Sequence, residues 1–437
     1  MFEACTNVVE KMDLVDVLQR LGIDHHFEEQ IATTLCNIYK SEFNSSSLHE
    51  VALRFRLLRQ HGLWVPADEF DKFKLENGSF IDETTNNDLK GLLSLFNATN
   101  LLTHNEGTLE EALVFAKQQL ESVQGSLSPR ANQVWRALKI PLPRTLKRVE
   151  AVQYIQEYRL HQRWWKSLSK EIGLEYVRDR MILVKLFMLT SLLDDTYDEH
   201  ATLEESRQLT KAIERWDEND ISSLPGYIKK FFLKLIRNFK EFEDELEPHE
   251  KHRIAYARKA LISKSYLQEA EWSYHDYIPS FNDHVNVSTI SAGGQVMCVG
   301  LLVGMGGVAT KEAFEWAIGS TDAVRACGEV SRFMDDMADF KRGRNKMDVA
   351  TSVECYMNEH NVTSEVALTK IGSFVDDAWK TLNQALFEHR ALLPVLQRAR
   401  NFAMSMMIIF LDQKDGYTNS KVLEETLKNQ FVKHIPL

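Results

Sequence analysis

An all-α fold is what this sequence predicts. Three observations carry that expectation. Glycine and proline are sparse, 19 and 9 in 437 residues. Apolar residues recur at helical spacing through long stretches, and clear strand-like alternation is scarce. The length is enough for two or three domains. A net charge of −11 argues against nucleic acid as a partner. The five cysteines (Cys5, Cys36, Cys298, Cys327, Cys355) are odd in number and scattered, without zinc spacing. They fit a reducing compartment and no disulfide framework. The acidic opening MFEACTNVVEKMD lacks signal or transit character, so a cytoplasmic protein is expected.

Taken in order, residues 1 to about 140 show helical periods broken by polar turns. Asn77-Gly78 and Asn105-Glu106-Gly107 are turn signals. Ile140-Pro141-Leu142-Pro143-Arg144 punctuates the chain, and a domain boundary is expected between about 140 and 160. Longer, more apolar helices follow. Met181 to Leu193 (MILVKLFMLTSLL) is an apolar approach that ends on an acidic motif. Ser291-Ala292-Gly293-Gly294 reads equally as a kink or as a turn between two helices, because paired glycines weaken a helix by roughly 1 kcal/mol each. Val296 to Ala309 is too short to span a bilayer and reads as a buried helix, so no membrane span is expected.

The chemistry concentrates in two DDxxD motifs, Asp194-Asp195-Thr196-Tyr197-Asp198 and Asp335-Asp336-Met337-Ala338-Asp339. In a helix, residues i and i+4 share a face, about 6 Å apart along the axis. Each motif therefore aims two or three carboxylates in one direction. Like charges that close repel, and a cation is the natural reason to keep them together. Oxygen ligands with no nearby Cys or His suit Mg²⁺ or Mn²⁺. Asp194 and Asp198 are the best ligands by spacing, with Asp195 as support beside them. Two such clusters on one cavity would hold a diphosphate through the metal. Basic residues lie close by: Arg178-Asp179-Arg180 before the first motif, Arg332 one helical turn before Asp336, and the run Lys341 to Lys346 after the second. Arginine forks bind phosphate oxygens bidentately. Phe187, Trp272, Tyr277, Phe333, Phe410 and Tyr417 are candidates for an aromatic wall that would stabilise a carbocation, although each alone is more readily plain core.

A longer series of motifs carries a resemblance. Leu18-Gln19-Arg20-Leu21-Gly22-Ile23 with His26-Phe27-Glu28, Leu53 to Arg59 with Gly62, Arg148-Val149-Glu150-Ala151, Arg178-Asp179-Arg180, the first DDxxD, Gln268-Glu269-Ala270-Glu271-Trp272 and Asp415-Gly416-Tyr417-Thr418 follow one another in order. Over nearly its whole length the chain resembles plant class I terpene synthases, particularly the angiosperm sesquiterpene synthases. The resemblance implies an N-terminal α-barrel-like domain, residues 1–158, and a C-terminal class I terpenoid synthase helical bundle, residues 159–437. It implies two Mg²⁺ at Asp194 and Asp198 and a third at the second motif. That motif is (N/D)DxxSxxxE in most relatives. Here Asp339 stands in the Ser slot and Gly343 in the Glu slot, similar to the variant of cadinene-type synthases. Arg178, Arg180 and Arg332 match diphosphate-gripping arginines, and Asp415 and Tyr417 match a closing loop. The implied reaction is metal-dependent ionisation and cyclisation of an allylic prenyl diphosphate, farnesyl diphosphate foremost, by a monomer.

Three departures stand beside it, one of them an apparent shortening between Tyr158 and Trp164-Trp165, where the first helix of the catalytic domain is expected. Only Met181 to Leu193 separate Arg178-Asp179-Arg180 from the first DDxxD, where the family pattern is longer and carries an aromatic segment. The start also lacks the family's twin-arginine motif. The shortened spacing predicts an activity retained in type and weakened or lost in this form. Prenyl-chain elongation, which uses the same two acidic motifs, and metal or prenyl diphosphate binding without turnover are the alternatives.

Overall fold

The computed structural model describes residues 1–75, 80, 88–123, 130–158, 179–218, 221–222, 224–343 and 349–431. Among them no strand forms, and one isolated bridge joins Lys74 to Phe80. The helical expectation therefore holds, and its turns fall where polar caps stand. Asn105, one of the turn signals, takes a positive φ of 66°. Asn77-Gly78 lies outside the described residues.

The N-terminal half contains α1 (Val8–Arg20), α2 (Glu28–Lys40), α3 (Leu48–Gln60), α4 (Leu89–Thr99), α5 (Gly107–Ser122), α6 (Ala131–Lys139) and α7 (Lys147–Tyr158). Side-chain caps start three of them: Asn7 for α1, Ser47 for α3 and Asp88 for α4. Such a cap is worth about 1 kcal/mol because it satisfies an orphan N–H. Their apolar faces close one core around Met12, Leu18, Phe55, Phe70 and Leu95.

A second core, around Phe232, Phe239, Phe314, Trp379 and Leu396, belongs to the C-terminal half. Its helices are α8 (Asp179–Asp195), α9 (Leu203–Arg215), α10 (Gly226–Glu245), α11 (Arg253–Lys259), α12 (Ser263–Tyr274), α13 (Phe281–Ser291), α14 (Gly294–Val303), α15 (Lys311–Ile318), α16 (Asp322–Arg342), α17 (Ser352–His360), α18 (Ser364–Glu388), α19 (Leu393–Ile409) and α20 (Glu424–Phe431). Capping boxes at Thr202/Glu205 and Thr351/Glu354 fix the starts of α9 and α17.

Glycines bring the motif-bearing helix close to its neighbour. Gly293, at φ +82°, makes the Gly293-Gly294 pair a turn between α13 and α14 rather than a kink within one helix. A Cβ on Gly294 would lie 2.7 Å from the Gly328 nitrogen, and one on Gly328 would lie 2.2 Å from the Thr289 carbonyl oxygen. Only bare backbones fit that crossing. It seats α16, with the second acidic motif, directly on α13. Phe281–Val303 is long and apolar enough to cross a membrane by length and composition alone, but most of it is buried inside the fold and it spans this turn.

The halves are joined by polar contacts. Asn383 on α18 donates to the carbonyls of Asn100 and Leu102 at 3.1 and 2.9 Å. Lys380 pairs with Glu110 at 2.6 Å and Arg144 with Asp376 at 2.7 Å. Lys139 pairs with Asp412, just beyond α19. None of the five cysteines forms a disulfide, and four are buried.

Candidate active site

The first motif straddles a change of helix type. Asp194 and Asp195 close α8, and Asp198 lies in a π-type turn, Thr196–His200. Such wide turns concentrate at functional sites. The turn sorts the side chains. Tyr197 is buried and bonds Thr210 Oγ1 at 2.6 Å, while Asp198 and Asp195 stand exposed and Asp194 half-buried.

The second motif sits near the end of α16. Asp335 and Asp339 are each about 30% exposed. Asp336 is different. Its Oδ2 accepts from His284 Nε2 at 3.0 Å and from the Ser352 backbone N–H at 2.6 Å, and its Oδ1 accepts from Arg332 at 3.2 Å. Burial alone would raise its carboxyl. The Arg332 charge and the His284 and Ser352 bonds outweigh that and hold it at about 2. Asp336 was expected among the metal ligands, yet both its oxygens face inward and are spoken for. It ties α13, α16 and α17 together.

Electrostatics join the two motifs. Burial pushes the Asp194 carboxyl well above the usual range, Asp198 and Glu269 add to it, and Asp335 of the other motif adds again, while Arg332 opposes. Burial also lifts Asp335 to about 8; Arg332 pulls it down, and Asp339, Asp336 and Asp415 push it up. Asp339 rises to about 6, first by burial, against the pull of Arg342. Asp335, 141 positions further along the chain, thus lies close enough to Asp194 to add to its shift. At an effective dielectric of 20, two charges 4 Å apart repel by about 4 kcal/mol.

Arg332 is central to this chamber. It donates to Asp335 at 3.1 Å, to Asp336, to the Ser288 carbonyl at 3.3 Å and to Ser291 Oγ at 3.4 Å. Ser291 in turn donates to Glu269 at 2.7 Å. Arg178 lies outside the described residues, as does the side chain of Arg180.

The loop Asp415 to Thr418 contacts both motif-bearing helices, α8 through Tyr417 and α16 through Asp415. Asp415 Oδ1 accepts from the N–H groups of Tyr417 and Thr418 at 3.0 and 2.8 Å, a self-made turn. The Tyr417 hydroxyl bonds Ser191 on α8, and its ring meets Phe187 edge-on at 6.1 Å. Arg342 pairs with Asp339 at 3.0 Å and approaches Asp415 at 3.9 Å, so one guanidinium links the second motif to the loop. Of the other aromatic candidates, Phe333 stacks on Phe281 and meets Phe374 at a tilt in the core, Phe410 lies buried between the halves, Trp272 is buried and Tyr277 is exposed.

Glu269, His284, Ser191 and Ser291 belong to this chamber without having been singled out for it. Glu269 lay inside a quoted motif. His284 and the serines carry no local signal, since their roles depend on a helix crossing. Among the described residues, no three Asp, Glu, His or Cys side chains converge closely enough to enclose an ion unaided. The donor set nevertheless suits a hard divalent cation. It is all carboxylate oxygen, mutually repelled, and of the incomplete kind that water and phosphate oxygens finish.

Comparison with known proteins agrees with this arrangement. Residues 159–381 match the terpene synthase metal-binding domain and residues 1–138 the terpene synthase N-terminal domain. The chain is 60% identical to tau-cadinol synthase from Zea mays, over 100% of this chain and 91% of that one. It is likewise 60% identical to alpha-copaene synthase from Zea mays, over 99% and 92%. The first alignment runs over 498 positions against a chain of 437 residues, so at least 61 of its positions have no counterpart here. The crystal structure of isoprene synthase from grey poplar leaves (Populus x canescens), in complex with three Mg²⁺ ions and dimethylallyl-S-thiolodiphosphate, matches at a TM-score of 0.79 and 28% identity, over 98% of this chain and 92% of that one. The two-domain all-α architecture, the metal-binding module and the identity to sesquiterpene synthases lead to one assignment: this chain belongs to the terpene synthase family and is an enzyme of it, a metal-dependent lyase that cyclises a prenyl diphosphate.

Proposed function

We propose that this terpene synthase takes farnesyl diphosphate, with Mg²⁺ as its metal (three ions, Mn²⁺ substituting), and forms a cyclic sesquiterpene as a cytoplasmic monomer. The observation that carries the reading is that Arg332 acts on carboxyls of both motifs, bonded to Asp335 and Asp336 and opposing the rise of Asp194. In this reading the catalytic domain is 159–437 and the preceding domain 1–158. Asp194 and Asp198, with Asp195 beside them, serve as one ligand set, and Asp335 and Asp339 as the other. Asp336 serves as the buried brace of Arg332 rather than as a ligand, on the strength of its bonds to His284 and Ser352. When bound, the divalent cations supply the positive charge that neutralises the departing diphosphate.

The protein's own groups do the rest. Arg332, with Arg178 and Arg180 as proposed partners, holds phosphate oxygens by charge-assisted N–H bonds. Arg342 couples the ligand Asp339 to Asp415 of the closing loop. Closure brings Tyr417 over the chamber mouth and excludes water, which would quench an allyl cation early. The Phe187 and Tyr417 ring faces stabilise positive charge within about 6 Å.

Incubation of purified protein with farnesyl diphosphate and Mg²⁺, followed by gas chromatography–mass spectrometry, tests the reading, with geranyl diphosphate in parallel. Cyclic C15 products that vanish with chelator are expected. Chain-lengthened diphosphates on addition of isopentenyl diphosphate, or Mg²⁺-dependent binding with no turnover, would overturn it.

A further inference from the structure

A second cavity lies away from the acidic chamber, between the two halves of the molecule. It is a cleft of about 490 Å³ on the reverse side of α16. That volume falls inside the range of about 300–1,000 Å³ typical of small-molecule sites. Part of its lining is apolar and adaptable: Met334 and Met337 of α16, Met407 and Phe410 from α19 and its end, and Val375 of α18. Methionine-rich walls reshape around irregular apolar ligands.

Gly372 makes room for an occupant. It stands in the middle of the 25-residue α18, where glycine costs roughly 1 kcal/mol against alanine. A Cβ built there meets nothing within 4 Å. The empty space is therefore not forced by a close helix crossing, unlike that at Gly294 and Gly328.

The rim selects the ligand's chemistry. The cations lining the cleft are already matched, Arg144 with Asp376 and Lys139 with Asp412, and Glu121 adds a further negative charge. A diphosphate would meet net negative charge there. Among the residues lining the cleft, two buried polar atoms lack a hydrogen-bond partner, Arg144 Nε and Gln413 Oε1. Arg144 is 6% exposed, so its unmet N–H is deeply buried. Such a group costs about 1–3 kcal/mol until it finds a partner. A ligand hydroxyl can accept from Arg144 Nε or donate to Gln413 Oε1.

We propose that this interdomain cleft is a second binding site, separate from the catalytic chamber, for a neutral apolar alcohol of terpenoid size. The proposal stands on the cleft itself and does not depend on the catalytic reading. The probe is farnesol, added without divalent metal to full-length protein carrying ¹³C-methyl methionine. Saturable one-to-one shifts at the Met407, Met337 and Met334 methyls are expected. The filling variants Gly372→Leu and Val375→Trp should each weaken farnesol by roughly tenfold or more, while Gly372→Ala keeps binding. Should a filling variant fail to fold by circular dichroism, the wild-type methyl shifts decide alone. Absence of saturable shifts at these methyls, shifts that both folded filling variants leave unchanged, or equal shifts with farnesyl diphosphate would overturn the proposal.

Discussion

At the scale of single residues, the acidic groups divide into two kinds. Asp194 and Asp335 carry carboxyls lifted by burial and by neighbouring carboxylates, Asp198 and Glu269 for the first and Asp339 for the second. Asp194→Ala and Asp335→Ala should each lower kcat/KM by about 100-fold or more, with an unchanged circular dichroism spectrum. Asp336 faces inward, braced by His284, Ser352 and Arg332. Its removal strands buried partners, so Asp336→Ala should cost about 3 kcal/mol of stability, read as a fall in the denaturant midpoint. The first kind was legible in the sequence because i and i+4 spacing is a local rule. The second was not, because His284 reaches Asp336 across 52 residues through a helix crossing that Gly294 and Gly328 permit. The sequence shows those glycines but not which backbones they let approach.

At the scale of elements, α8 and the loop after α19 form one working unit. The loop begins at a strained place: Asp412 and Gln413 adopt φ of 57° and 55°, left-handed values that non-glycine residues take at a cost of about 1 kcal/mol or more each. Lys139 of the other half grips Asp412 there. Tyr417 then reaches Ser191 on α8. Removing that hydroxyl in Tyr417→Phe loosens the closed loop and admits water. The product mixture should shift toward water-captured alcohols, measured as the alcohol-to-hydrocarbon ratio by gas chromatography. The helical character of these elements, and the punctuation at Pro141 and Pro143, could be read from periodicity and breakers. The π turn under Asp198 could not, since it depends on how α8 meets α9 and α12.

At the scale of the whole molecule, the acidic chamber makes stability depend on pH and metal together. Asp335 and Asp339 are raised to about 8 and about 6 in the fold, above their unfolded value near 4. Between those values the folded state holds more protons than the unfolded chain, so metal-free stability falls as pH rises from about 4 to about 8. Asp336, held at about 2, contributes in the opposite sense; its stabilisation is present above pH 4 and lost as pH falls toward 2. With chelator present, the melting temperature should decline from pH 5 to pH 8.5, and Mg²⁺ should restore more of it at pH 8 than at pH 6. Differential scanning calorimetry checks both slopes.

One face of α8 also bears on this scale. Val184, Met188 and Leu192, four residues apart on α8, stand about half exposed. An apolar stripe at helical spacing ordinarily faces a neighbour. Here it remains open, in a chain that lacks counterparts for at least 61 positions of its 498-position alignment with a Zea mays relative. The two-half architecture was legible in the sequence. The exposed side of α8 was not, because helical spacing alone does not say which apolar face finds a neighbour.

The central claim is that the two aspartate sets act on one diphosphate through shared metal. Anomalous diffraction from crystals grown with Mn²⁺ and inorganic pyrophosphate tests it most directly. The account predicts manganese peaks at both Asp194/Asp198 and Asp335/Asp339, with one pyrophosphate spanning them. Manganese confined to one set, or pyrophosphate bound outside the chamber, would contradict it.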